Sequence, residues 1–205
     1  MAINIAVLLS GNGTTLQNIL DRSAAGTLDA RVSCVISTRE KAFGLERARK
    51  AGVPAAAVPR KSFDATGPFS ETVWAEINKY PVDLVVLAGF MSMLDVPAEF
   101  ENRIMNVHAA LIPAFCGKGM YGAHVYEAVL DAGVKVTGVT VHFVDAEYDH
   151  GPIILQRPVA VAEDDTPDTL AARVQAEERE AYPEAIQLYA EGRLKVVDGR
   201  VRVAP

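Results

Sequence analysis

Asn106 and His108 lie two residues apart near the middle of this 205-residue chain. In an extended segment, residues i and i+2 point the same way, so both side chains can face one reacting centre. A neutral amide donor beside an imidazole that titrates near neutrality suits a carbonyl oxygen gaining negative charge under nucleophilic attack. The plainer alternative for Asn106-Val107-His108 is a satisfied polar pair at a strand end. A third group comes from Asp145-Ala146-Glu147-Tyr148-Asp149-His150-Gly151. An acidic loop between paired strands is usually a solvated turn. A carboxylate beside His108 would instead favour the protonated ring and orient it. His150 competes as a ligand or base and is read as a loop residue.

Two further groups could hold a substrate. Ser10-Gly11-Asn12-Gly13-Thr14-Thr15 joins an apolar run to a helical pattern. Such a turn exposes backbone N–H groups at a helix N-terminus, where the helix dipole favours a phosphate. Bulk at Gly13 would then block the phosphate's approach. The alternative is a tight turn with Thr14 as N-cap. No third glycine completes a dinucleotide fingerprint, so the functional reading is a mononucleotide-type phosphate site. On a later helix, Ala171, Val174, Glu178, Ala181, Ala185 and Leu188 follow three- and four-residue steps, which puts Glu178 on the apolar stripe. A carboxylate there needs a partner, such as a substrate amine or hydroxyl. A helix rotated enough to wet Glu178 is the alternative, and the run Glu177-Glu178-Arg179-Glu180 is compatible with it. His124 and His142 are weaker candidates, His142 as a packed or hydrogen-bonded strand residue. Cys116 has no adjacent base for nucleophilic chemistry. No histidine and carboxylate spacing suggests zinc, so no metal is expected.

These residues need a frame. Ile3 to Leu9 is a nearly continuous apolar run, as expected for a strand buried on both faces. Strands are expected at Val32–Ile36, Ala55–Val58, Asp83–Ala88 and Ile104–Val107, the last ending at His108. Helices are expected after Gly13, at Phe43–Ala51 and around Ser70–Lys79. This alternation predicts an α/β fold, a Rossmann-like, mostly parallel sheet with helices on both faces. Sites in such sheets form outside the carboxyl ends of the strands, where Gly11, Gly89 and Asn106–His108 fall. Beyond a long irregular loop from His108 to Tyr121, the pattern changes. A helix at Ala123–Asp131 precedes extended runs at Val136–Val144 and Ile153–Val161, expected to pair antiparallel and extend the sheet. A long helix at Pro167–Ala190 and a hairpin at Lys195–Val203, turning at Asp198-Gly199, complete the chain. One domain over residues 1–205 is expected, with a nucleotide-binding-like half (1–107) and a second half (108–205).

Composition bounds the partners. The net charge of −6, from 26 acidic and 20 basic side chains, argues against broad binding to nucleic acid or an anionic membrane. It leaves room for one small anion in a local site. The two cysteines, Cys34 and Cys116, make neither a disulfide framework nor a metal cluster, and two free thiols are expected. No basic leader precedes the apolar start and no stretch reaches membrane-span length, so a cytoplasmic location is expected.

At these same residues the chain resembles the folate-dependent phosphoribosylglycinamide formyltransferase family. The resemblance covers nearly the whole length. It is carried in order by SGNGTTLQ, AFGLERARKAG, DLVVLAGFMSML, NVHAALIPAF, GVTVHFVDAEYDHGPIILQ and ARVQAEE. It implies catalytic roles for Asn106, His108 and Asp149. It implies a substrate phosphate on Asn12, Gly13, Thr14 and Thr15, with Gln175 and Glu178 near the ribose and glycinamide. It implies a folate pterin between Met91, Ser92, Met93 and Leu94 and the loop Asp145, Ala146, Glu147, Tyr148 and Asp149, with Asn106 also in contact. The co-substrate would be 10-formyltetrahydrofolate, the acceptor glycinamide ribonucleotide, and the assembly a monomer or homodimer. The chain departs from the family pattern at Thr15, often Asn. Ala109 and Ala110 stand for the usual proline and serine, and His150 for a glycine. The loop Gly117–Tyr121 also differs.

The resemblance implies amine attack on the formyl carbon, with Asn106 and protonated His108 stabilising the oxyanion. Asp149 would keep His108 charged and help relay the proton. A deformylase would send water to the same carbon, and its relatives usually carry an additional N-terminal domain. A methionyl-tRNA formyltransferase would usually carry a C-terminal tRNA-binding domain and a basic surface. A non-catalytic nucleotide-binding module would not need Asn106, His108, Asp149 and Glu178 together.

Overall fold

A computed structural model describes residues 2–205 of the chain. The chain forms two compact units, Met1–Met105 and Asn106–Pro205. The first opens with β1 (Ile3–Leu9), whose residues from Ile5 onward are fully buried. β1 pairs in parallel with β2 (Ala30–Ser37) and with β4 (Leu84–Leu87), and β3 (Ala55–Ala57) joins β2, also parallel. Three helices intervene: α1 (Thr14–Ala24), α2 (Phe43–Lys50) and α3 (Thr66–Ile77). Phe69, Val73, Trp74 and Ile77 form the buried stripe of α3 at helical spacing. The indole of Trp74 donates to the Asp95 carbonyl at 2.8 Å and stacks on Phe100 at 4.5 Å.

β5 (Ile104–His108) carries the chain into the second unit. There follow α4 (Ala123–Asp131), β6 (Val136–Phe143), β7 (Ile153–Ala160), α5 (Pro167–Ala190), β8 (Leu194–Val197) and β9 (Arg200–Val203). β6 and β7 pair antiparallel, with a register shift between Val141 and His142. α5 starts with a capping box in which the Thr166 hydroxyl accepts from the Thr169 N–H, and Pro167 fills the first turn. The main sheet has seven strands in the order β3-β2-β1-β4-β5-β6-β7, and β8-β9 form a separate two-stranded sheet. This is the expected α/β architecture, mostly parallel and extended by an antiparallel strand. No described helix is long and apolar enough to cross a membrane. Cys34 and Cys116 are free, and burial first, then the Glu76 charge, push the Cys34 thiol up to about 11.

Three local readings change. α3 starts at Thr66 rather than near Ser70, because Pro68 lies in the first helical turn, where its missing N–H has no partner to lose. On α5 the buried stripe is Leu170, Val174, Ala181, Tyr182, Ala185 and Ile186, while Ala171 and Leu188 are half-buried. Glu178 is therefore at the edge of the stripe, half-buried. At the first turn, the N-cap is Gly13 and not Thr14, which is already helical. Gly13 takes φ 68°, and a Cβ there would sit 2.7 Å from the Cα of Gly44 on α2. Bulk at this position therefore meets α2 backbone before it meets any ligand.

Gly13→Val is expected to destabilise the protein by about 2–5 kcal/mol, the sum of left-handed strain and overpacking. A Cβ on Gly11 would meet nothing within 4 Å, so Gly11→Ala is the control. Urea unfolding of both variants checks this. Equal midpoints would show that the approach of Gly13 to Gly44 does not limit stability.

Candidate functional site

The second unit gathers the chemistry-bearing groups around one carboxylate. Asn106 and His108 leave the end of β5 on the same side, as alternation requires. Asp149 lies in the loop between β6 and β7, at φ 53°. The Asn106 amide nitrogen is 3.3 Å from Asp149 Oδ1, and His108 Nδ1 is 3.6 Å from Oδ2, an ion-pair distance. The Gly117 N–H donates to Oδ2 at 2.9 Å. Burial pushes the Asp149 carboxyl up. The polar contact with His142, the charge of His108, the Gly117 N–H and the charge of His142 outweigh it, so its pKa falls below the ordinary value.

His142 completes the cluster. Its Nδ1 is 2.8 Å from the Phe143 carbonyl, which can only accept, so Nδ1 carries a proton. Its Nε2 is 3.2 Å from the Asn106 amide nitrogen and 3.7 Å from Asp149 Oδ1. The Asn106 NH₂ thus faces a ring nitrogen and a carboxylate at once, which fixes the orientation of the amide. From sequence His142 is only a weaker candidate, with a packed or hydrogen-bonded strand role preferred. A polar ring on a strand whose residues from Thr137 to Phe143 are all buried is the signal that it needed a partner.

The loop between β5 and α4 closes over the cluster. His108 Nε2 is 2.8 Å from the Phe115 carbonyl, so both ring nitrogens of this buried histidine face oxygen acceptors. The loop's root is pinned from the sheet. Thr140 donates to the Ala110 carbonyl at 2.7 Å and accepts from the Ile112 N–H at 3.1 Å, and Gln156 donates to the Ile112 carbonyl at 3.0 Å. Phe115 and Gly117 act through main-chain atoms, which no reading of residue types could have found.

The other expected residues fall as follows. In the loop of Asp145, Ala146, Glu147, Tyr148 and Asp149, Asp145 accepts from the Glu147 N–H at 2.9 Å and from His150 Nδ1 at 2.7 Å. His150 is exposed and separate from the Asp149 cluster, and the hydrogen bond and charge of Asp145 raise its pKa. Gln175 and Glu178 lie against the buried Tyr126 of α4. Burial raises the Tyr126 phenol, the Glu178 charge adds to that, and a hydrogen bond with Gln175 opposes both.

In the first unit, Asn12 and Thr14 are exposed, Thr15 is half-buried, and Gly13 is buried against α2. Met91 is exposed, Ser92 and Met93 are half-buried and Leu94 is buried. A short buried hydroxyl chain holds this end of the sheet: Thr38 donates to Ser10 Oγ at 2.7 Å, and Ser10 Oγ accepts from the Met91 N–H at 3.0 Å. Above it opens a cavity of about 540 Å³ lined by Thr38, Arg39, Lys41, Arg60, Lys61 and Met91, among others. Arg60 is held in place by the Phe63 carbonyl at 2.6 Å and by the face of Phe69.

Comparison with known proteins bears on this arrangement. A family described as Formyl transferase matches residues 3–186. The phosphoribosylglycinamide formyltransferase of Escherichia coli (strain K12) is 40% identical over 197 residues, which cover 95% of this chain and 90% of that one. The crystal structure of glycinamide ribonucleotide transformylase 1 from Symbiobacterium toebii superposes with a TM-score of 0.93 at 47% identity, covering 100% of this chain and 95% of that one. A formyltetrahydrofolate deformylase from Pseudomonas syringae pv. tomato superposes with a TM-score of 0.89 at 26% identity, covering 100% of this chain but 67% of that one.

The depressed Asp149 carboxyl sets a pH dependence of stability. A group whose pKa is lower folded than unfolded stabilises fully above the unfolded value and loses that contribution as pH falls through the folded one. Stability is therefore expected to fall below about pH 4, the ordinary carboxylate range, and Asp149→Asn should flatten that limb. Urea unfolding between about pH 2 and 7 measures it. Identical acid limbs in the two proteins would show that Asp149 is not held ionised by its neighbours.

Proposed function

The chain belongs to the formyl transferase family, and from that premise we propose that it transfers the formyl group of 10-formyltetrahydrofolate to the amine of glycinamide ribonucleotide, a step of purine biosynthesis. It is then a phosphoribosylglycinamide formyltransferase. One observation carries the chemistry: Asn106 and His108 converge on the half-buried carboxylate of Asp149. In this reading the substrate amine attacks the formyl carbon and the carbonyl electron pair moves onto oxygen. Asn106 and protonated His108 donate to that oxyanion. The proton lost by the amine passes, with help from Asp149, to the folate nitrogen as its bond to the formyl carbon breaks. His108 Nε2 and the Asn106 amide already have acceptors in the Phe115 carbonyl and Asp149. The formyl oxygen takes over from the Phe115 carbonyl, so the Ala109–Gly122 loop shifts when substrate enters.

Substrate roles follow the same reading. Asn12, Gly13, Thr14 and Thr15 receive the phosphate, while Gln175 and Glu178 meet the ribose and amine. Met91, Ser92, Met93 and Leu94 serve the folate, as does the loop from Asp145 to Asp149. Arg39, Lys41, Arg60 and Lys61 beside Met91 and Ser92 suit the folate's glutamate carboxylates. The chain is read as one formyltransferase domain working in the cytoplasm. The deformylase alternative is less well supported, since that protein is 26% identical, against 40% and 47% for the two glycinamide ribonucleotide formyltransferases.

The basic test is incubation with 10-formyltetrahydrofolate, with and without glycinamide ribonucleotide. Formyl transfer only when the ribonucleotide is present is expected, and formate release without it would make the protein a deformylase. Glu178→Gln should raise KM for the ribonucleotide roughly tenfold or more, since a hydrogen bond involving a charged group contributes about 1.5–3 kcal/mol. An unchanged KM would remove Glu178 from the substrate site. Asp149→Asn and His108→Ala should each lower turnover strongly with both ligands still bound. The double variant should be little worse than the worse single one, because groups acting as a unit are not additive. Fully additive losses in that cycle would dissolve the proposed dyad.

A further inference from the structure

The turn at Gly11–Gly13 is braced from one side by α2, and the bracing decides where its N–H groups point. The Gly44 N–H donates to the Gly11 carbonyl at 3.1 Å. Arg47, one turn further along α2, donates from Nε to the Asn12 carbonyl at 2.9 Å and from Nη1 to Gln17 Oε1 at 3.0 Å. Its guanidinium lies over the Phe43 ring, 4.9 Å from the centroid. A trans peptide is planar, and its C=O and N–H point in opposite directions. With the Gly11 and Asn12 carbonyls turned toward α2, the Asn12 and Gly13 N–H groups are turned away from it. Among the described residues, none accepts from either N–H. Two successive N–H groups aimed the same way beside a helix start form an anion-binding concavity.

We infer that Arg47 is a positioning residue for the phosphate of the ribonucleotide: by holding the Asn12 carbonyl it aims the Gly13 N–H at the phosphate. This rests on the ribonucleotide reading given above. The role is geometric rather than one of direct charge. Two of the guanidinium nitrogens are already committed to the Asn12 carbonyl and the Gln17 amide, and both bonds come from one planar fork. Lysine, a point charge on a flexible stem, cannot hold both. Gln17 carries the constraint onward, since its amide nitrogen donates to Asp21 at 2.8 Å along α1.

The test uses inorganic phosphate as the probe and the full chain as the protein. In amide NMR titrations, phosphate should shift the Asn12 and Gly13 resonances of the wild type, and Arg47→Lys should weaken that binding roughly tenfold although it keeps the charge, as expected for loss of a charged hydrogen bond. In turnover assays the same variant should raise KM for the ribonucleotide by a similar factor, with kcat and KM for the formyl-folate held within about twofold. Arg47→Ala, if it folds, should show the same split. Phosphate binding by Arg47→Lys equal to wild type would assign the effect to charge and overturn the proposal. So would the absence of any shift at Asn12 and Gly13 in the wild type, or a joint fall of kcat and of affinity for both substrates. The NMR arm needs no turnover, so failure of the formyl-transfer reading and failure of this inference are distinguishable.

Discussion

A carboxylate taken out of water is costly unless hydrogen bonds and opposite charge replace what water supplied. Asp149 meets that condition with an amide, a main-chain N–H and two imidazoles, all within 4 Å. Those partners are placed by three pieces of the second unit: Asn106 and His108 by β5, His142 by β6, Gly117 by the loop between β5 and α4. Asp149 itself sits at a positive φ that only a well-determined loop maintains. The carboxylate is therefore the point at which strand, neighbouring strand and two loops must agree. Removing any one partner leaves the remaining charge less compensated.

Much of this frame could be read from residue order. Ile3–Leu9, Ala123–Asp131 and Pro167–Ala190 are found with the expected bounds, because each has a clear apolar pattern and a boundary residue: Gly11 after β1, Gly133 after α4 and Pro167 in the first turn of α5. α3 begins at Thr66, ahead of the expected Ser70, because proline at position 68 is tolerated in a first turn. Asn106 and His108 were legible as a pair through strand alternation. Their meeting with Asp149 is implied by the resemblance alone, since the contact spans more than forty residues and no local period encodes it. His142 was on the page as a member of the β6 face, but a single buried histidine has many structural uses. The main-chain roles of Phe115 and Gly117 were invisible in principle, since any residue supplies a carbonyl and nearly any an N–H.

Two of the departures from the expected family pattern, Ala110 and His150, act in different ways, one through its backbone and one through its side chain. Ala110 is fully buried, and it is its carbonyl that Thr140 holds. His150 adds a side-chain partner for Asp145 that a glycine could not, giving the loop after β6 an exposed clasp of its own. Exposed pairs of this kind contribute little stability. Its consequence is local: it orders the chain just ahead of Gly151, which packs so tightly on the Phe143 carbonyl that a Cβ would come within 2.0 Å of it.

In the proposed function an acidic chain meets a phosphate and the folate's carboxylates, so recognition must be local, because its overall field repels both. The proposed roles put two local solutions in the first unit. At the cavity beside Met91, four cationic side chains stand against Glu40, a positive patch within a negative protein. At the glycine turn no side chain need approach the anion. Donors come from peptide N–H groups whose direction is imposed from behind by Gly44 and Arg47. Backbone donors cannot rotate away or exchange partners as lysine can, so their selectivity lies in where they point. The close contact of Gly13 with Gly44 is then part of recognition as well as of packing, since any residue that opened that contact would also turn the peptides that present the donors.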